Sequence, residues 1–203
     1  EMALKSNAVY NTLYTPNNEE SIELQLLTSD INIAMNQFSE AESVLNKSLT
    51  VLQRMRLSDG LKVKALIKLG SLYNLQNNKA EALKKWSDAV NAAKSKFGAK
   101  HPIIAEIYTK LSELSIKSGD AAKGLEYAEN ALKAILIENP EICLSPILLL
   151  KSWELKVSAL LNLGKFDETV FKKEYFKWMK ILYMEYLPIR FESEFRNSHQ
   201  RLC

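Results

Sequence analysis

Small residues return along this chain at Ala41, Ala82, Gly124 and Thr169, at intervals of 41, 42 and 45 residues. Each follows a turn-like stretch: Asn36-Gln37-Phe38, Asn77-Asn78-Lys79, Gly119-Asp120-Ala121 and Gly164-Lys165-Phe166. A unit of that length holds one pair of helices and cannot bury its own apolar face. It must stack on its neighbours, so the repeat dictates a solenoid. A solenoid exposes a long continuous surface, and binding is the class of function that follows.

With 47% hydrophobic and 25% charged residues, the chain is too apolar to be disordered. No stretch approaches 18 uninterrupted apolar residues, and Lys151 closes the densest run, Ile147-Leu148-Leu149-Leu150, so no membrane span is expected. The net charge of +3 is small and its charges are interspersed, which gives no strong argument for nucleic acid. Cys143 and Cys203 make no disulfide framework, and a reducing, cytoplasmic setting is expected. The chain begins at Glu1 with no signal-like segment and reads as a fragment of a longer protein.

The second repeat is the clearest. Leu61, Ala65, Leu66, Leu69, Leu72 and Tyr73 follow helical spacing on one face, and Asn77-Asn78 breaks the helix. A second helix places Ala82, Leu83, Trp86, Ala89, Val90 and Ala93 together. Ala82 and Ala89 let the backbones approach, and Trp86 fills the remaining volume. Gly98 supplies a stop, and Pro102 suits the first turn of the next helix. The third repeat follows the same plan, with Ile104, Ile107, Tyr108, Leu111 and Leu114, then Leu125, Ala128, Ala131, Leu132 and Ile135. The stretch from Glu138-Asn139-Pro140 to Ser145-Pro146 is expected to be a linker. Asp167 is the expected cap of the last helix. The predicted pairs span about 19–57, 61–97, 102–138 and 146–187. Residues 1–18 are expected to hold a helix of a preceding unit and a linker, and 188–203 a helical extension.

This pattern resembles the tetratricopeptide repeat: Leu69, Gly70, Tyr73, Ala82, Trp86 and Ala89 match its pattern place for place. Tyr108, Leu111, Ser112, Gly119, Ala128 and Ala131 match in the third repeat, and Trp153, Leu160, Gly164 and Phe166 in the fourth. The first repeat keeps Phe38, Ala41 and Leu45 but departs at Gln25, Thr28 and Asn32. The period near 42, with Phe97-Gly98-Ala99-Lys100-His101-Pro102 between units, looks like the longer variety found in kinesin light chains and many scaffolds. The resemblance implies an all-α, right-handed superhelical solenoid of antiparallel helix pairs. It also implies a peptide groove lined by the first helix of each pair.

By that register the groove candidates are Lys64, Lys68, Ser71 and Asn74, then Lys110, Glu113 and Lys117, then Lys151, Ser158 and Asn162. Glu106, Thr109 and Glu154 share the strip, as do Glu23, Leu26, Leu27 and Asp30 in the first repeat. Five lysines against three glutamates in the last three repeats make it mildly basic, suited to an acidic, extended segment of another protein. The carboxylate clamp of chaperone-binding members is not expected, because Ile67 and Ser71 stand where its first Lys and Asn belong.

Half of the 18 aromatics gather between Phe166 and Phe195, with Lys172, Lys173, Lys177 and Lys180 among them. Phe171, Tyr175, Trp178, Tyr183 and Tyr186 are candidates for docking a partner from a terminal capping helix. A nucleic-acid platform is the weaker reading of the same residues. No catalytic, metal or cofactor site is expected. His101 and His199 lie far apart, no CxxC pair exists, and no Gly-rich phosphate loop is present. The expected function is a non-catalytic scaffold in a multi-protein complex, taking up no small-molecule substrate. The alternative is the helical arm of a larger enzyme or motor assembly.

Overall fold

The computed structural model of the chain describes residues 18–55, 59–138 and 141–186, of which 55, 138, 141, 142 and 181–186 by their backbone alone. The expected preceding helix and terminal extension lie outside the described residues. Eight helices occur in order among the described residues: α1 (Glu19–Ala34), α2 (Phe38–Met55), α3 (Asp59–Leu75), α4 (Lys79–Phe97), α5 (Pro102–Lys117), α6 (Ala121–Ile135), α7 (Pro146–Asn162) and α8 (Glu168–Tyr186). Two short strands, β1 (Leu136–Glu138) and β2 (Glu141–Cys143), stand between α6 and α7.

The repeat seen in the sequence is a repeat of turn geometry. Asn36, Asn77, Gly119 and Gly164 all take left-handed backbone, with φ of 59°, 60°, 86° and 63°. In each case the next N–H reaches back to the carbonyl five residues before it. Gln37 bonds Asn32 at 2.8 Å, Asn78 bonds Tyr73 at 2.8 Å, Asp120 bonds Ser115 at 2.9 Å and Lys165 bonds Leu160 at 2.9 Å. This closure satisfies carbonyls that a helix end leaves open, and it fixes the angle of the next helix. The following helix is then capped by a side chain. Asn78, Asp120 and Asp167 accept from the N–H groups of Glu81, Lys123 and Val170 at 3.4, 3.1 and 3.1 Å. His101 caps α5 through Nδ1, which accepts from Ile103 N–H at 3.2 Å, and its ring stacks on Phe97 at 4.5 Å.

Helix packs on helix in sequence order from α1 to α7, and α1 with α3 and α5 with α7 also meet along the inner side. Ala41, Ala82 and Ala89 are fully buried, which brings paired backbones close. The fully buried core runs along the stack through Ile22, Leu45, Leu69, Leu72, Ile104, Ile107, Leu111, Ile135 and Leu149. The first repeat departs from the pattern because its core is partly polar. Ser21, Thr28, Ser29 and Asn32 are all buried in α1. Thr28 and Ser29 donate to the carbonyls of Leu24 and Leu26 at 2.8 and 2.6 Å, and Ser48 donates to Gln25 Oε1 at 2.7 Å. Buried hydroxyls satisfied inside the helix cost little.

The linker expected after α6 is instead a β-hairpin, with Leu136 opposite Cys143, Ile137 opposite Ile142 and Glu138 opposite Glu141. Cys143 is fully buried in the core. The backbone of α8 runs beside β2, and α8 meets α7 through rings, with Phe171 edge-on to Trp153 at 5.5 Å. At the position of the small residue, α8 has Thr169, which is exposed.

Candidate functional site

The inner side of the stack is lined by α1, α3, α5 and α7, and every candidate lysine there has an acidic neighbour. Lys64 lies 3.8 Å from Glu23, and Lys68 pairs with Asp30, so both bridge the first two repeats. Within helices, Lys110 pairs with Glu106 at 3.8 Å, Lys117 with Glu113 at 2.7 Å, and Lys151 with Glu154 at 3.4 Å. The Lys117 hydrogen bond holds the Glu113 carboxyl below its ordinary range, aided by the charges of Lys117, Lys151 and Lys110. The strip is therefore mixed in charge and largely self-compensated.

Five of the candidates converge. Ser71, Asn74, Lys110, Glu113 and Lys117 line one cavity of about 260 Å³ between α3 and α5, together with Leu75, Trp86 and Leu114. The last three, an apolar floor, were not among the sequence candidates. Their spacing reads as core, where Trp86 and Leu114 lie, and the splay between α3 and α5 leaves Leu75 alone of the three toward solvent. Leu75 is 59% exposed. Trp86 is held from behind by its Nε1–H, which donates to the Ile67 carbonyl at 3.1 Å. Lys64, Lys68, Lys151, Ser158 and Asn162 lie along the same side outside this cavity. Thr109 and Leu26 are buried, so they serve packing.

The aromatic candidates of α8 divide differently. Trp178 is buried, and Phe171 and Tyr175 are half-buried in a ring cluster in which Phe171 stacks on Tyr175 at 5.5 Å and tilts against Phe166 at 5.6 Å. The side chains of Tyr183 and Tyr186 lie outside the described residues. Phe176 is 65% exposed. Among the lysines of this helix, Lys172 pairs with Glu168 at 2.6 Å, and the Lys177 ammonium lies over the Trp178 ring at 5.1 Å.

Among the described residues, no group of three or more His, Cys, Asp or Glu could hold a metal ion, and no helix is long and apolar enough to cross a membrane.

No protein-family model matches the sequence, and neither does any curated protein. Solved structures do match. BtubC (BKLC) from P. vanneervenii aligns over 92% of this chain and 76% of its own, with a TM-score of 0.71 and 15% identity. The nearly identical TPR-like repeats of a Podosopora anserina protein of kinesin light chain type align over 91% and 86%, with a TM-score of 0.66 and 14% identity. MamA aligns over 86% and 80%, with a TM-score of 0.55 and 19% identity. The fold is accordingly an all-α, tetratricopeptide-like solenoid of antiparallel helix pairs, with the β-hairpin as a local insertion.

Proposed function

We propose that this chain is a non-catalytic scaffold that holds an extended segment of a partner protein in its inner groove. The reading rests on one observation, the convergence of Ser71, Asn74, Lys110, Glu113 and Lys117 over an apolar floor between α3 and α5. An extended chain offers backbone donors and acceptors to the exposed Asn74 amide and the Ser71 hydroxyl, and a side chain to Leu75 and Leu114. Acidic residues in that segment would displace Glu113 and Glu106 from their lysines. The work is recognition within a multi-protein complex of the cytoplasm, with no small-molecule substrate or cofactor. The tetratricopeptide-like fold supports protein partners as a class, since such solenoids present long surfaces without a closed active site.

The test is affinity capture with mass spectrometry on the wild-type chain and on Asn74→Ala and Lys110→Glu/Lys117→Glu variants. A specific partner retained by the wild type and lost from both variants supports the groove. Undiminished capture by both variants refutes it. A second reading, docking through α8, is favoured by the exposed Phe176 ring, and Phe176→Ser in the same capture separates the two.

A further inference from the structure

The fourth helix pair closes differently from the other three. In each of those, one stripe of the first helix faces the second helix. A Cβ on Gly70 would run into Trp86 of α4, and Ser112 donates to the Gly124 carbonyl of α6 at 2.7 Å. Seven residues before the left-handed turn residue, the stripe holds Ser29, Gly70, Ser112 and Val157. Fourteen before it stand Ile22, Val63, Ala105 and Leu150. In the first three pairs both positions are buried. On α7 the stripe is open: Leu150 is 47% exposed, Leu161 is 59% exposed and Val157 is half-buried.

The matching stripe of the second helix is open as well. Ala82, Trp86 and Ala89 are buried in α4, and Gly124, Ala128 and Ala131 in α6, whereas Thr169, Lys173 and Phe176 are exposed in α8. Phe176 stands where Ala89 and Ala131 lie between close backbones, and a ring does not fit there. Accordingly α8 is turned about its axis and meets α7 through Phe171. The two open sides coincide. On α7, helical spacing puts Lys156 to one side of Trp153, and Leu150 and Leu161 to the other. On α8 it puts Glu174 to one side of Phe171 and Phe176 to the other. Lys156 pairs with Glu174 at 3.6 Å, so Leu150, Leu161 and Phe176 share the remaining side. They form an apolar furrow along the last pair, exposed among the described residues.

We infer that this furrow is the seat of the chain's own last segment, residues 188–203, folded back as an amphipathic helix. Connection favours it. Lys156 lies opposite Glu174, and the two helices run antiparallel, so α8 ends beside the start of α7. A chain leaving there needs one turn to run along Leu150, Val157 and Leu161, parallel to α7, and Pro188 suits such a start. Length agrees: residues 189–202 as a helix span about 21 Å, against about 16 Å from Leu150 to Leu161. The pattern agrees too. Phe191, Phe195 and Leu202 fall on one helical face, with Ser193, Asn197 and Gln200 opposite. The segment supplies the helix that the turned α8 does not bring to the pairing stripe of α7. While it is seated Phe176 is covered, and a partner docking there must displace it. The furrow is separate from the inner groove.

Cys203 supplies a native probe, because Cys143 is buried. In the full chain, Leu161→Cys and Leu150→Cys place a thiol at either end of the furrow, both at exposed positions that should tolerate the change. With the segment seated, mild oxidation should link Cys203 to position 161 about tenfold or more faster than to position 150, since a disulfide needs Cα atoms within about 7 Å. Phe191→Ser/Phe195→Ser should abolish that preference, and both residues lie outside the eight helices, so the solenoid should keep its fold. Labelling is the second measurement. In a Cys203→Ser background, the thiol of Leu150→Cys should react with a maleimide about fivefold or more faster once the two phenylalanines are replaced. Equal linkage at both positions, or none at either, overturns the inference. So does a maleimide rate indifferent to the phenylalanines. Disulfide-linked dimers in place of the intramolecular bond would give the furrow to a second copy and overturn the assignment.

Discussion

Gly70→Ala tests the closest contact in the stack. A Cβ at this position would stand 2.4 Å from Trp86 Cδ1 and Nε1 and 2.9 Å from Cε2, about an ångström inside ordinary contact. The indole cannot simply retreat, because it is 3% exposed and its Nε1–H is tied to the Ile67 carbonyl at 3.1 Å. Alanine in mid-helix gains about 1 kcal/mol over glycine. Against that, overpacking costs about 1–3 kcal/mol and a broken, buried indole hydrogen bond about 1–3 kcal/mol. The net expectation is a loss of about 3 kcal/mol, visible as a lower urea midpoint at 222 nm. A double-mutant cycle isolates the cause. In a Trp86→Leu background the clash is gone, and Gly70→Ala should become neutral or stabilising by up to about 1 kcal/mol. A Gly70→Ala protein as stable as wild type would refute the packing argument. A penalty that persists at full size in the Trp86→Leu background would refute it too.

Three further predictions use the same unfolding assay. Asn77 holds left-handed backbone at φ 60°, so Asn77→Ala should destabilise by about 1 kcal/mol, whereas Asn77→Gly should be neutral or slightly stabilising. Burial, then the hydrogen bond to Glu42 at 2.7 Å, pushes the Tyr73 hydroxyl up to about 12. Its folded value lies above the ordinary value of 10.0, so the contribution is complete below pH 10 and lost as pH rises toward 12. Tyr73→Phe should flatten that part of the profile relative to wild type. The Glu113 carboxyl is held below its ordinary 4.5, chiefly by the Lys117 hydrogen bond, so its contribution is present above that pH and lost as pH falls through the lowered value. Glu113→Gln should remove this acid-side loss, and an unchanged slope would show that the ion pair adds nothing to stability.

The stack itself was legible because its determinants are local. A left-handed residue, a capping side chain and a small residue recur within a few positions of each other, so Asn77-Asn78 followed by Ala82 announces both the turn and the close approach. The hairpin was not legible as strand. Leu136-Ile137-Glu138 simply continues the apolar pattern of α6, and three residues are too few to reveal a period of two. The β-branched Ile137 and Ile142 on either side of Asn139-Pro140 were the available signal. In the groove, helical register gave the polar positions but not their neighbours. The pairing of Lys68 with Asp30, and the turning of Leu75 toward solvent, depend on how adjacent repeats splay.

That splay also bears on what the groove can gain from a ligand. Each groove lysine already has an acidic neighbour, and exposed pairs of this kind contribute roughly 0–1 kcal/mol. A partner's carboxylate replacing Glu106 or Glu113 exchanges one such pair for another, so acidity alone cannot carry tight binding. It can steer approach and set orientation. Most of the affinity must come from covering Leu75, the exposed apolar side chain of the cavity, and from hydrogen bonds to Asn74. Asn74→Ala and Leu75→Ser should therefore slow nothing in the approach of a captured partner but speed its release. Lys110→Glu should mainly slow association, with an effect that fades as salt is raised. Surface plasmon resonance on the captured partner at two ionic strengths separates the two. If Lys110→Glu instead acts on the dissociation rate independently of salt, the lysine is a direct anchor and the apolar floor is not the source of affinity.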